Sequence, residues 1–225
     1  MNKNIFKISD QISIDEVEKI YEKNFEKIIY EFFNLEHEWM FNAYKEYKDF
    51  DKYLILIYLL HKTLETYNKH FYKVSFEKFY NNPHIEIEKI SIIDLVKSLS
   101  MSKETVRRKL NELSKEGVLT RKLKNIRINK VNSNARLERN VFNLSKLIFL
   151  LTSKLGKEHS LEDFSRLEIE KKIRNNYTQY WNLFFKFQIN YVLRCKNVYS
   201  SIESFYVWGL CAFNEALNSK KLSKS

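Results

Sequence analysis

The residues best suited to chemistry in this sequence fall between Ser102 and Arg127. Ser102 is followed by Lys103, Glu104, Thr105, Val106, Arg107 and Arg108, then by Leu110, Asn111, Leu113 and Lys115. On a helix, Val106, Leu110 and Leu113 fall within roughly 60° of one another and would be buried together. Glu104, Arg108, Asn111 and Lys115 then project from the opposite side, with Lys103 and Arg107 on its flank. Those groups suit a nucleic acid: a guanidinium can bind guanine O6 and N7, a carboxylate can accept from a cytosine amine, and an ammonium can meet phosphate. A second basic group follows at Arg121, Lys122, Lys124 and Arg127. Between Lys103 and Arg139 there are twelve basic residues against four acidic ones. That density points to a polyanionic partner.

The elements that must position these groups can be read on either side. Ser91 with Asp94 three residues on has the form of a capping box, and Ile93, Leu95, Val96 and Leu99 supply an apolar side. This helix ends at Ser100–Met101. Ser102 caps the next, from Lys103 to about Lys115, and Gly117 stops it. Two short helices joined by so short a turn form a helix-turn-helix. Val118–Leu119–Thr120 and Ile126–Arg127–Ile128 are strand-like, with the basic tip Arg121–Asn125 between them. Helix, strand, basic loop and strand is the order of a winged helix, whose wing would lie on phosphates. The competing interpretations are a plain helical hairpin in place of the helix-turn-helix and, in place of base reading, a surface ion pair between Glu104 and Arg108.

Ser102–Lys103–Glu104–Thr105–Val106–Arg107–Arg108, with Leu110 after it, resembles the recognition-helix signature of the Crp/Fnr transcription regulators. The resemblance runs from about Ser91 to Ile128, with Glu116–Gly117–Val118–Leu119 at the helix exit. It implies that Lys103, Glu104 and Arg108 read bases. Lys103 stands where that family usually has arginine, which would weaken bidentate reading at that position. Ser102, Thr105, Arg107, Asn111, Lys115, Arg121, Lys122, Lys124 and Arg127 are expected on phosphates or at the flank. The family's glycine-rich cyclic-nucleotide roll has no counterpart here. The layout of helices, winged helix and helices is similar to that of MarR-type regulators, in which flanking helices pair two protomers.

Composition sets the surroundings. The chain has 225 residues, with three glycines and one proline, where average usage of about 12% would give about 27 of the two together. That scarcity excludes glycine-rich β-sandwiches, Rossmann sheets and phosphate loops. The expected fold class is mainly α, a winged helix-turn-helix with a small β wing, flanked by long N- and C-terminal helices. The net charge of +11 is uneven: residues 1–80 carry −2, residues 81–140 +7 and residues 141–225 +6. The expected units are a helical region at 1–80, a DNA-binding unit at 84–130 and a second helical region at 137–225.

The apolar periodicity predicts helices over Ile14–Tyr47, Lys52–His70, Leu137–Lys154, Leu161–Arg194 and from Ser201 to about Asn218. Gly156 is placed as a C-cap, and Ser160 with Asp163 as the start of the long helix. The aromatic residues Tyr177, Tyr180, Trp181, Phe184, Phe185, Phe187 and Tyr191 form a stripe suited to core or dimer packing. An effector pocket there is the alternative.

No apolar run reaches the ~20 residues that span a bilayer. The N-terminus lacks a secretory pattern, so a cytoplasmic, membrane-free protein is expected. Five dispersed histidines and two isolated cysteines suggest no metal site, no cofactor and no catalytic constellation. The expected function is a bacterial-type transcription regulator, a homodimer on double-stranded DNA with any small-molecule effector undefined. The alternatives are a winged-helix interaction module, a replication or partition protein without promoter specificity, or an RNA binder with exposed stacking aromatics.

Overall fold

The computed structural model describes residues 13–70, 72–81, 84–87, 89–122, 125–129, 134–159 and 164–222. Ser13 opens the first helix, α1 (Ile14–Lys23), through a reciprocal capping box with Glu16. The apolar stripe predicts one helix from Ile14 to Tyr47, but the chain breaks at Asn24, and α2 runs from Phe25 to Tyr47. The Asn24 side-chain amide donates to the Ile20 carbonyl (2.9 Å), and its own carbonyl accepts from the Lys27 and Ile28 amides. Asparagine competes for backbone groups in this way, so it splits a stripe without changing its period.

Helix α3 (Phe50–Lys69) begins where Asp49 accepts from the Lys52 amide (3.0 Å). Leu54 through Tyr58, Leu59 and Leu64 are all buried. A helix apolar all round must lie inside the fold. Accordingly α3 packs along α9 (Tyr177–Tyr199) and, through another side, against α5 (Ile92–Leu99) and α6 (Lys103–Lys115). It is the spine shared by the helix-turn-helix and the helical body.

A short α4 (Phe76–Asn81) precedes β1 (His84–Glu86). Strands β2 (Leu119–Lys122) and β3 (Asn125–Asn129) complete an antiparallel sheet of order β1-β3-β2. Ile85 and Leu119 both pair with Ile128 of the central strand, and Glu86 and Thr120 pair with Arg127. The fold is mainly α with a small β wing, as the sequence predicts, although β1, with only three residues, carries no readable alternation.

Helices α7 (Asn134–His159), α8 (Arg166–Asn175), α9 and α10 (Ile202–Leu222) form the rest of the body. Helix α7 lies along α2, where Glu38 accepts from the Asn143 amide (2.5 Å) and Lys146 pairs with Glu31 (2.9 Å). The sequence places a C-cap at Gly156, yet α7 continues through it to His159. Glycine weakens a helix interior by about 1 kcal/mol relative to alanine, and packing against α2 and α8 outweighs that.

The predicted start at Ser160 and Asp163 lies outside the described residues. The predicted helix 161–194 is two helices: Ser165 and Glu168 form the capping box of α8, and Asn176 separates α8 from α9. Asn176 repeats the device of Asn24, its side chain donating to the Lys172 carbonyl (3.2 Å). The aromatic stripe of α9 is core: Tyr177, Trp181, Phe184 and Phe185 are buried and pack ring against ring in sequence, while Phe187 remains exposed. Among the described residues no helix is long and apolar enough to cross a membrane.

Candidate nucleic-acid interface

The turn between α5 and α6 is built from serines. Ser91 accepts from the Asp94 amide and Asp94 accepts from the Ser91 amide (both 3.1 Å), fixing the start of α5. Ser100 adopts a left-handed conformation (φ 51°) that reverses the chain, and buried Met101 donates to the Val96 carbonyl (3.3 Å). Ser102 then accepts from the Thr105 amide (3.0 Å), and its hydroxyl donates to the Thr105 hydroxyl (2.9 Å). Ser102 is thus the helix cap, and half-buried Thr105 is its partner. The inner side of α6 presents Val106, Leu110 and Leu113, all essentially fully buried against Leu95 and Leu99.

The outer side carries Lys103, Glu104, Arg107, Arg108, Asn111 and Lys115, all exposed and lining one shallow depression together with Glu112. No Glu104–Arg108 pair forms. Arg108 instead approaches Glu112 (3.9 Å) while staying mostly in solvent. Among the described residues Lys103, Glu104, Arg107 and Lys115 make no ion pair. Cationic groups left solvated on one helix face can exchange water and counterions for phosphate or base contacts.

The exit of α6 is fixed just as closely. Gly117 takes φ +74°, a conformation that side chains with a Cβ rarely adopt, and the Val118 amide returns to the Leu113 carbonyl (3.0 Å). Asn129, which sequence reasoning missed, locks this exit to the sheet. Its amide side chain donates to the Gly117 carbonyl (2.6 Å), and its carbonyl oxygen accepts from the Thr120 hydroxyl (3.1 Å). Arg121 and Lys122 lie on β2 opposite Ile126 and Asn125, toward the strand connection, and Arg127 is exposed on β3. Lys124 lies outside the described residues.

A further group escaped sequence reasoning because its members are far apart in the chain. Lys109 is buried on the inner side of α6, where its ammonium binds Asp49 and approaches Glu112 (3.4 Å). Lys52, in the first turn of α3, pairs with Glu116 (2.5 Å) and Glu112 (3.4 Å). Burial opposes ionisation of Asp49, but hydrogen bonds from Lys109 and the Lys52 amide outweigh it and hold its carboxyl below the ordinary range. For Glu112, too, burial acts against the charge and the Lys109 and Lys52 cations prevail, lowering its pKa. The Lys52 ammonium is stabilised mainly by its bond to Glu116. Asp49 therefore starts α3 and anchors α6 at once. The Tyr58 hydroxyl adds a bond to Ser98 of α5 (2.8 Å). No group of three metal-ligating side chains occurs among the described residues.

Residues 86–130 match the DeoR-like helix-turn-helix domain. The match spans α5, α6, β2 and β3, which are the elements that build the exposed basic face. The chain carries a helix-turn-helix DNA-binding domain. No curated protein and no solved structure matches the chain. The family matched is DeoR-like and carries no specific support for the Crp/Fnr resemblance or the MarR-like layout.

Proposed function

We propose that this protein is a sequence-specific regulator of transcription that places α6 in the major groove of double-stranded DNA. The observation that carries the reading is the division of α6: one side buried, with Val106, Leu110 and Leu113 beside the ion-paired Lys109, the other exposing four cationic side chains, a carboxylate and an amide. Lys103, Glu104 and Arg108 read base edges in the pattern of the Crp/Fnr signature. Arg107, Asn111 and Lys115 address the flanking backbone, and Ser102 and Thr105 present the helix N-terminus to a phosphate. Arg121, Lys122, Lys124 and Arg127 bring the wing to the phosphates of the adjoining groove.

In this reading residues 84–130 are the DNA-binding unit, while residues 1–80 and 137–225 form the scaffold that pairs two copies, as in the MarR-like layout. A two-fold dimer then requires an operator with half-sites about one helical turn, roughly 34–36 Å, apart.

Two variant sets separate base reading from phosphate binding. Glu104→Ala/Arg108→Ala is expected to abolish preference for a selected duplex over a scrambled one. Lys122→Ala/Lys124→Ala is expected to weaken binding to both duplexes alike and to reduce the salt slope by about one for each phosphate no longer neutralised. Unchanged affinity and preference in both variants would refute the reading.

A further inference from the structure

Among the described residues, the body of the protein encloses a carboxyl group that the DNA interface does not use. Glu36 of α2 is buried, and its Oε1 accepts from the side-chain amide of Gln188 on α9 (2.5 Å). Its second oxygen, Oε2, has no partner, nor does Gln188 Oε1, although both atoms are inaccessible to solvent. Unsatisfied buried polar atoms of this kind destabilise a fold. In the neutral carboxyl the O–H at Oε2 lacks an acceptor and Gln188 Oε1 lacks a donor, so a basic nitrogen that takes the proton and returns N–H bonds would satisfy both.

Glu36 lines a small pocket between α2, α9 and α10, walled by Phe33, His37, Tyr191, Tyr206 and Trp208. The faces of aromatic rings attract cations. No lysine or arginine lines the pocket, and burial lowers the His37 pKa. Gly209, on α10 in the pocket wall, has nothing within 4 Å of where a Cβ would stand.

We propose that this pocket is the binding site for an organic amine, its ammonium donating to Glu36 and its apolar body lying among the rings of Phe33, Tyr206 and Trp208. Without ligand the cavity is about 20 Å³, room for about one water, so binding displaces α10 outward. The start of that helix is anchored in the core by Ile202 and Phe205, while farther along Trp208 packs on Phe33 (6.1 Å) and Tyr199 (5.2 Å) and remains partly exposed. Burial raises the Glu36 pKa to about 8. An amine entering as its free base takes the carboxyl proton: the O–H bond breaks, the N–H bond forms, and the pocket keeps zero net charge.

The site also adjoins the joint that holds α6. Tyr206 packs on Phe50 (5.4 Å) and Tyr44 (6.2 Å). Phe50 is the first residue of α3, next to Asp49, which anchors Lys109 of α6. An occupant that displaces Tyr206 therefore acts on the anchor of α6.

The test uses the full chain without DNA, so its outcome is independent of the DNA reading. Calorimetric titration with 2-phenylethylamine is expected to show binding at least tenfold tighter than with 2-phenylethanol. Glu36→Gln is expected to erase that preference while leaving near-UV circular dichroism unchanged. Phe33→Ala, which removes a wall of the pocket without touching the carboxyl, is expected to weaken amine binding at least tenfold even if Glu36→Gln fails to fold. Saturating amine is expected to change hydrogen exchange of the α6 amides, 103–115. No binding, equal binding of amine and alcohol, or a preference surviving in folded Glu36→Gln would overturn the site. Amine binding with unchanged α6 exchange would overturn its coupling to the helix-turn-helix.

Discussion

Two sides of α6 handle positive charge differently. On the outer side Lys103, Arg107 and Lys115 stand in solvent without an ion pair among the described residues, and Arg108 touches only the edge of Glu112. On the inner side Lys109 is buried and bound to Asp49, with Lys52, Glu112 and Glu116 completing the cluster. The same residue type thus serves two ends. A desolvated cation must be matched within the fold, where it sets the angle between α6 and α3. A solvated cation keeps its counterions and can release them to a polyanion.

The largest effect is expected where the two sides share a foundation. Leu110→Ala, beneath both, should lower stability by about 2–5 kcal/mol in a denaturant melt, with loss of every DNA-binding property in proportion to unfolding. Next, Asp49→Ala removes an anchor and a helix cap together, leaving Lys109 without its main partner. A loss of about 1–3 kcal/mol is expected. Arg107→Ala, by contrast, should stay within about 0.5 kcal/mol of wild type in stability. Similar stability losses from Asp49→Ala and Arg107→Ala would erase the distinction between the two sides.

The pH dependence sharpens it further. Asp49 and Glu112 have folded-state pKa values below their unfolded ones, so their contribution is complete above the ordinary carboxylate range and is lost as pH falls through the lowered values. Glu36 has the opposite sign. Its pKa of about 8 means that the folded state retains a proton the unfolded chain releases above about 4.5. Stability should therefore decline as pH rises from about 4.5 to about 8, and Glu36→Gln should flatten that slope in thermal melts. The smallest effect is expected at Gly209→Ala, a gain of up to about 1 kcal/mol from helix propensity in a position with open space.

The legible and illegible parts of the fold differ in the range of their interactions. The helix-turn-helix is readable because its determinants are local: Ser91 with Asp94, Ser102 with Thr105, and Gly117 at positive φ. The sides of α6 follow from helical period alone. What is not readable depends on distant partners or on conformations compatible with a continuous stripe. Asn24 and Asn176 break helices whose apolar period continues across them, and Gly156 passes through a helix that neighbours hold together. The Asp49–Lys109 anchor and the Glu36–Gln188 bond join residues remote in sequence, and no spacing rule reveals such pairs.

The most direct test of a sequence-reading α6 is selection of bound duplexes from a random library by wild type and by Glu104→Ala/Arg108→Ala, with both proteins verified as folded. The result expected is a rough palindrome enriched by the wild type, its half-sites about one helical turn apart, and no enriched sequence from the variant. Enrichment of no motif by the wild type, or of the same motif by both proteins, would contradict it.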